Sequence, residues 1–140
     1  MTCVAWDGKT LAADKQCEWD GRPNYTTKVF RIRFKNKIYL IGFSNSEGPA
    51  LKFVEHFRKK GFENYPEVSG SNILIISKKD SWLIDADGFR VPMTSKIWTL
   101  GSGGDIALGA MVMGASAKEA VEIACKYNTG CGMGVDVVKF

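Results

Sequence analysis

The sequence predicts an α+β domain of mainly antiparallel sheets covered by helices. Three observations lead there. Four strand-like runs occupy the first third of the chain. Helices then come in runs, one before several further strands and two more before a last strand, instead of alternating singly with strands as repeating βαβ units require. Finally, 140 residues with 45% hydrophobic and 24% charged content suffice for one ordered core, and no repeat, low-complexity tract or linker divides it. Residues 1–140 therefore read as a single domain.

Each element has its local cause. Residues 2–14, TCVAWDGKTLAAD, pair two strands about Asp7-Gly8, a strong two-residue hairpin signal, and the first of them alternates from Thr2 onward. GRPNY reads as a loop punctuated by Gly21 and Pro23. Two more strands, over about 27–34 and 37–43, meet at Asn36. A helix from about Gly48 to Lys60 carries Leu51, Phe53, Val54 and Phe57 as its apolar stripe and stops at Gly61. NILIISKKDSWLIDADGFRVP holds short strands broken at Lys79-Asp80 and Asp87-Gly88, and KIWTLGSGG is a strand that runs into glycine. Helices over about 104–114 and 117–128 follow, the second with Ser116 as N-cap and Ala120, Val121, Ile123 and Ala124 inward. GVDVVKF ends the chain on a strand.

Composition narrows the function classes. The net charge of +4 is spread along the sequence; its densest stretch, KVFRIRFKNK, places Lys28, Arg31, Arg33, Lys35 and Lys37 among apolar residues as one solvated strand face would. That pattern does not point to nucleic acid. Cys3, Cys17, Cys125 and Cys131 have neither metal-ligand pairing nor the density of a secreted disulfide scaffold, and His56 stands alone, so no metal or other cofactor is expected. The longest apolar run, IALGAMVMGASA, is too short and too rich in small residues to span a bilayer, and no signal peptide precedes the fold. The chain reads as cytoplasmic and reduced.

Thr2 becomes the first residue once methionine is trimmed. A free α-amine has an unperturbed pKa of about 7.7–8.0 and can serve as general base for the hydroxyl of the same residue. GSGG, residues 101–104, reads either as a strand-to-helix turn or as an anion-binding nest at a helix N-terminus; the GxGxxG spacing of a dinucleotide site is absent.

Taken in order, TCVAW, LAAD, KVFRI, IGF, GSGGDIALGAM and GVDVV make the chain resemble the proteasome β-subunit and HslV family of N-terminal-nucleophile hydrolases, in particular the short proteasome-like subunits of some bacteriophage and bacterial genomes. The resemblance implies an αββα four-layer sandwich. It implies Thr2 as nucleophile, Asp14 as the acidic residue closing the second strand and Lys28 as the catalytic lysine. A cation beside the hydroxyl lowers the hydroxyl and amine pKa values, and the carboxylate holds it in place. Gly42, fourteen residues after Lys28, would donate its N–H to the oxyanion, and Ser102 would hydrogen-bond near the terminal amine. The implied partners are a peptide or unfolded-protein substrate and further copies of the chain in a ring, within the host cytoplasm if the chain is phage-encoded; a partner ATPase is left open.

There are departures. Where the family has an aspartate and a second serine before the last strand, this chain has Asn128 and Cys131, which weakens the charge support of the nucleophile. The first hairpin is shorter by an even number of residues, which preserves strand facing. Only one helix precedes NILIIS where the family has two, so one helical layer is reduced and an apolar flank beside it is expected to seek another subunit. The leading expectation is a threonine-type endopeptidase in a self-compartmentalised homo-oligomer. The alternatives are a non-catalytic proteasome-like subunit, for assembly or for interference with a host protease, and a small-molecule amidase.

Overall fold

A computed structural model describes residues 2–140; Met1, and with it the expected removal of the initiator, lies outside the described residues. The order is β1 (Val4–Trp6), β2 (Thr10–Asp14), β3 (Gln16–Trp19), β4 (Arg22–Tyr25), β5 (Val29–Phe34), β6 (Lys37–Asn45), α1 (Glu47–Lys60), β7 (Ser71–Ile76), β8 (Ser81–Ile84), β9 (Arg90–Met93), β10 (Trp98–Leu100), α2 (Gly104–Val112), α3 (Ala117–Tyr127) and β11 (Val135–Lys139). A four-stranded sheet ordered β10-β1-β2-β11 faces a five-stranded sheet ordered β5-β6-β7-β8-β9, and every pairing is antiparallel. The α+β expectation holds.

Three apolar layers hold the sandwich together. Val4, Leu11, Ala13, Val29, Leu40, Leu74 and Ile76 fill the space between the sheets. Phe53, Val54 and Phe57 of α1 pack on Ile41, Phe43, Ile73 and Ile75. Ala107, Ala120, Val121 and Ala124 of α2 and α3 pack on Cys3, Ala5 and Ala12, where small side chains bring helix and sheet close. β1 and β2 are therefore buried on both faces, so their alternation separates large residues from small ones instead of core from solvent.

Several expectations are corrected. GRPNY belongs to a hairpin, β3–β4, whose turn is Asp20-Gly21 with φ of 51° and 73°. Pro23 is tolerated because a two-stranded ribbon leaves one side of each strand unpaired. Leu51 and Ile123 are over a third exposed and leave the apolar stripes assigned to them. Lys28 is buried and is not part of the solvated face that Arg31, Arg33, Lys35 and Lys37 make. The flank beside α1 is also filled: Phe62, Tyr65 and Val68, from the segment after the helix, join the α1 core, and the Tyr65 hydroxyl donates to Gly88 O at 2.8 Å. The most exposed hydrophobics near the helices, Val112 and Tyr127 at the ends of α2 and α3 and Met113 just past α2, lie elsewhere.

Candidate active site

Thr2 sits just ahead of β1, at the end of the sandwich where β2 finishes and β5 begins, and is 3% exposed. Pairing of Val4 with Leu100 carries β10 past it, and the GSGG turn then wraps its carbonyl. Gly103 donates its N–H to Thr2 O at 3.1 Å. Gly101, at φ 89°, lies so close that a Cβ there would stand 2.1 Å from Thr2 O. Only glycine meets both demands.

Asp14 ends β2 and is fully buried. Its Oδ1 accepts from Lys28 Nζ at 2.8 Å and from Cys3 N at 3.0 Å; its Oδ2 accepts from Gly132 N at 3.1 Å and Gln16 N at 3.3 Å. A carboxylate with one cation and three N–H donors is satisfied without water, which is what a buried charge requires. It ties the start of β1, the start of β5 and the loop before β11 to one point. Lys28 and Thr2 both line a cleft of about 520 Å³.

The other expected residues divide. Asn128 Nδ2 donates to Ser102 O at 3.1 Å, while Asn128 Oδ1 accepts from Gly130 N at 2.8 Å and from Cys131 Sγ at 3.8 Å, so Asn128 knits the GSGG turn to the loop before β11. The Cys3 thiol donates to Cys131, which lowers the Cys131 pKa against its burial; Lys28 and the Ser102 hydroxyl act in the same sense. Cys3 itself is pushed far up by that bond and by burial. Cys125, on α3, is pushed up to about 12 by burial and by the Asp14 charge.

Gly42 does not join this group. Phe43 donates its N–H to Lys28 O at 3.1 Å, and N–H directions alternate along a strand, so the Gly42 N–H points the other way, to β7 opposite Leu74. Its Cα faces the inter-sheet core, where an added Cβ would lie 3.0 Å from Val4 Cγ1. A side chain there would make those apolar neighbours give by a few tenths of an ångström, and the pairing pattern turns the N–H to the sheet ladder. Two residues on from Phe43, Asn45 lines the cleft at a level where β5 has ended, in the left-handed region at a φ of 71°.

Sequence reasoning missed the other cleft wall. Cys17, Glu18 and Trp19 of β3 and Glu47, Gly48 and Leu51 of α1 line it, and the Thr26 hydroxyl donates to Glu47 Oε1. The available signal was Asp20-Gly21, the same dipeptide type that marks the first hairpin. With Lys28 neutralised by Asp14, Glu18 and Glu47 make the cleft mouth acidic, and neither forms an ion pair among the described residues.

By sequence, neither a family model nor a curated protein matches the chain. Solved structures do match. HslV from Trypanosoma brucei superposes with a TM-score of 0.66 at 18% identity, over 98% of this chain and 97% of that one. BPH from Thiobacillus denitrificans, in complex with epoxomicin, gives 0.71 at 18% over 100% and 98%. A Gly-1 mutant of Anbu from Hyphomicrobium sp. strain MC1 gives 0.75 at 12% over 100% and 82%. The chain has the HslV fold. Matches that run nearly end to end show that the short first hairpin and the single early helix leave the HslV fold intact, since β1, β2 and β5 still converge where Thr2, Asp14 and Lys28 stand.

Proposed function

We propose that the chain is a threonine-type amide hydrolase, an endopeptidase acting in a homo-oligomer, with Thr2 as its terminal nucleophile once Met1 is removed. The observation that carries this reading is the placement of Thr2 in a cleft beside Lys28, whose ammonium is anchored on the buried Asp14 carboxylate. The Thr2 hydroxyl attacks the peptide carbonyl while its proton passes to the Thr2 α-amine. The fixed charge of Lys28 favours the developing alkoxide. Asn45, the β6 residue that lines the cleft with Thr2, is the proposed position of the oxyanion donor in place of Gly42. Collapse expels the amine of the leaving peptide, which takes up the proton, and leaves an ester on Thr2 that water hydrolyses. Ser102, held beside Cys131 and Asn128, supports the terminal amine.

A second reading, a non-catalytic subunit, draws on Asn128: its amide is occupied by Ser102 O, Gly130 N and Cys131, and it brings no charge to Thr2. Epoxomicin binding is a property of the structural relative BPH, and a peptide epoxyketone, which reacts with the hydroxyl and free amine of a terminal threonine, is the discriminating reagent here. Intact mass followed by peptide mapping is expected to show loss of Met1 and an adduct on Thr2, and Thr2→Ala to abolish it. Met1-free, assembled protein that takes no label replaces the peptidase with the non-catalytic subunit; hydrolysis by a strictly monomeric species moves the reading to a small-molecule amidase.

A further inference from the structure

Positive charge that is dispersed in the sequence is gathered by the fold. Because the strands are antiparallel, the β1–β2, β5–β6 and β7–β8 turns and the link into β10 all lie at the end of the sandwich opposite Thr2. Two clefts open there. One, of about 410 Å³, is lined by Arg33, Lys37, Lys78 and Lys79 above Tyr39 and Trp82. The other, of about 440 Å³, shares Lys78 and Lys79 and adds Lys9 and Lys96. All six cations are exposed, and none forms an ion pair among the described residues.

Only Asp7 and Asp80 oppose them in the two clefts. The Asp7 carboxylate is already occupied by the N–H groups of Lys9, Thr10 and Ala117 and by the Thr10 hydroxyl. Six cations less two carboxylates equal the net charge of the whole chain, +4, so the rest of the molecule balances to zero. A face with this excess attracts anions at the range of the Debye length, about 8 Å at physiological salt.

We propose that this end is a docking face for an acidic peptide segment of a partner protein, its carboxylates entering both clefts across the Ser77–Asp80 turn. Nucleic acid fits less well. Five of the six cations are lysines, which pair as point charges with carboxylate and phosphate alike, so the cations by themselves do not favour nucleic acid. The aromatic rings beneath them offer no stacking platform either: Trp82 is covered by Phe62 and Arg90, and Tyr39 packs on Phe57 and Phe62.

The test is fluorescence anisotropy on the full chain with a labelled Asp/Glu-rich peptide and a single-stranded oligonucleotide of equal charge, at low and physiological salt. Saturable peptide binding is expected, weakened at least tenfold in Lys78→Glu/Lys79→Glu and unchanged in Lys118→Glu, a charge reversal on α3. Lys78→Ala/Lys79→Ala, with circular dichroism, covers the case in which charge reversal disturbs folding. The proposal is overturned if the peptide does not bind, if both double variants bind it as the parent does, or if the oligonucleotide binds equally or more tightly.

Discussion

Replacing Asp14 with alanine tests whether the ion pair under the cleft organises this end of the molecule. The side chains of Asp14 and Lys28 are 0% and 3% exposed. Asp14→Ala strips the carboxylate from a buried ammonium and orphans the N–H groups of Cys3, Gln16 and Gly132. Removing one partner of a buried pair costs about 3–5 kcal/mol, and each orphaned donor adds roughly 1–3 kcal/mol if nothing replaces its acceptor. Water can fill the vacated space and solvate the groups left behind, so about 3–5 kcal/mol is the expected net loss, a large share of the 5–15 kcal/mol typical of a domain. With a urea slope of about 2 kcal/mol/M, the unfolding midpoint should fall by about 1.5–2.5 M. The internal control is Asp136→Ala: its partner Lys15 is 3.3 Å away and both side chains are about a third exposed, so the loss should stay below about 1 kcal/mol. Equal losses for the two variants would refute the reasoning, because burial and the backbone N–H groups held by Asp14 are what separate the two pairs.

Gly101→Ala should cost about 1–3 kcal/mol through its φ of 89° and, by pushing on Thr2 O, lower peptide hydrolysis by roughly 100-fold, whereas Gly109→Ala, with open space around it in α2, should be neutral or stabilising; turnover of both in one assay decides. Burial alone would raise the Asp7 pKa from 3.8, but the N–H groups of Thr10, Ala117 and Lys9 and the Thr10 hydroxyl bring it below that value. Its stabilisation is therefore complete above the ordinary carboxylate range and lost as acidification passes the depressed folded value, so Asp7→Asn should melt lower at pH 7 and converge on the parent as the pH falls through that lower value; parallel melting curves would contradict this. The acidic cleft mouth favours cationic side chains, so fluorogenic peptides with arginine should be cleaved faster than those with glutamate, and Glu18→Gln/Glu47→Gln should narrow the ratio several-fold.

Local signals carried most of the architecture. Asp7-Gly8 marked the first hairpin, the Phe53, Val54 and Phe57 spacing marked α1, and Ser116 with Glu119 forms the capping box that opens α3. Such features are legible because turn dihedrals, helical periodicity and caps depend on residues only a few positions apart. The order of motifs also pointed to Thr2, Asp14 and Lys28, two of which make the buried pair. What failed needed long-range knowledge. GRPNY became a strand because a proline can sit on the unpaired side of a ribbon, and which side is unpaired depends on the sheet. Gly42 had the expected spacing, yet strand pairing turned its N–H to β7. Lys28 looked like its exposed basic neighbours until Asp14, fourteen residues away, took its charge out of water. The lysines that seemed scattered are gathered because antiparallel strands bring distant turns to one end. Charge direction, N–H direction and burial are set by what lies across the sheet, and no window of sequence contains that.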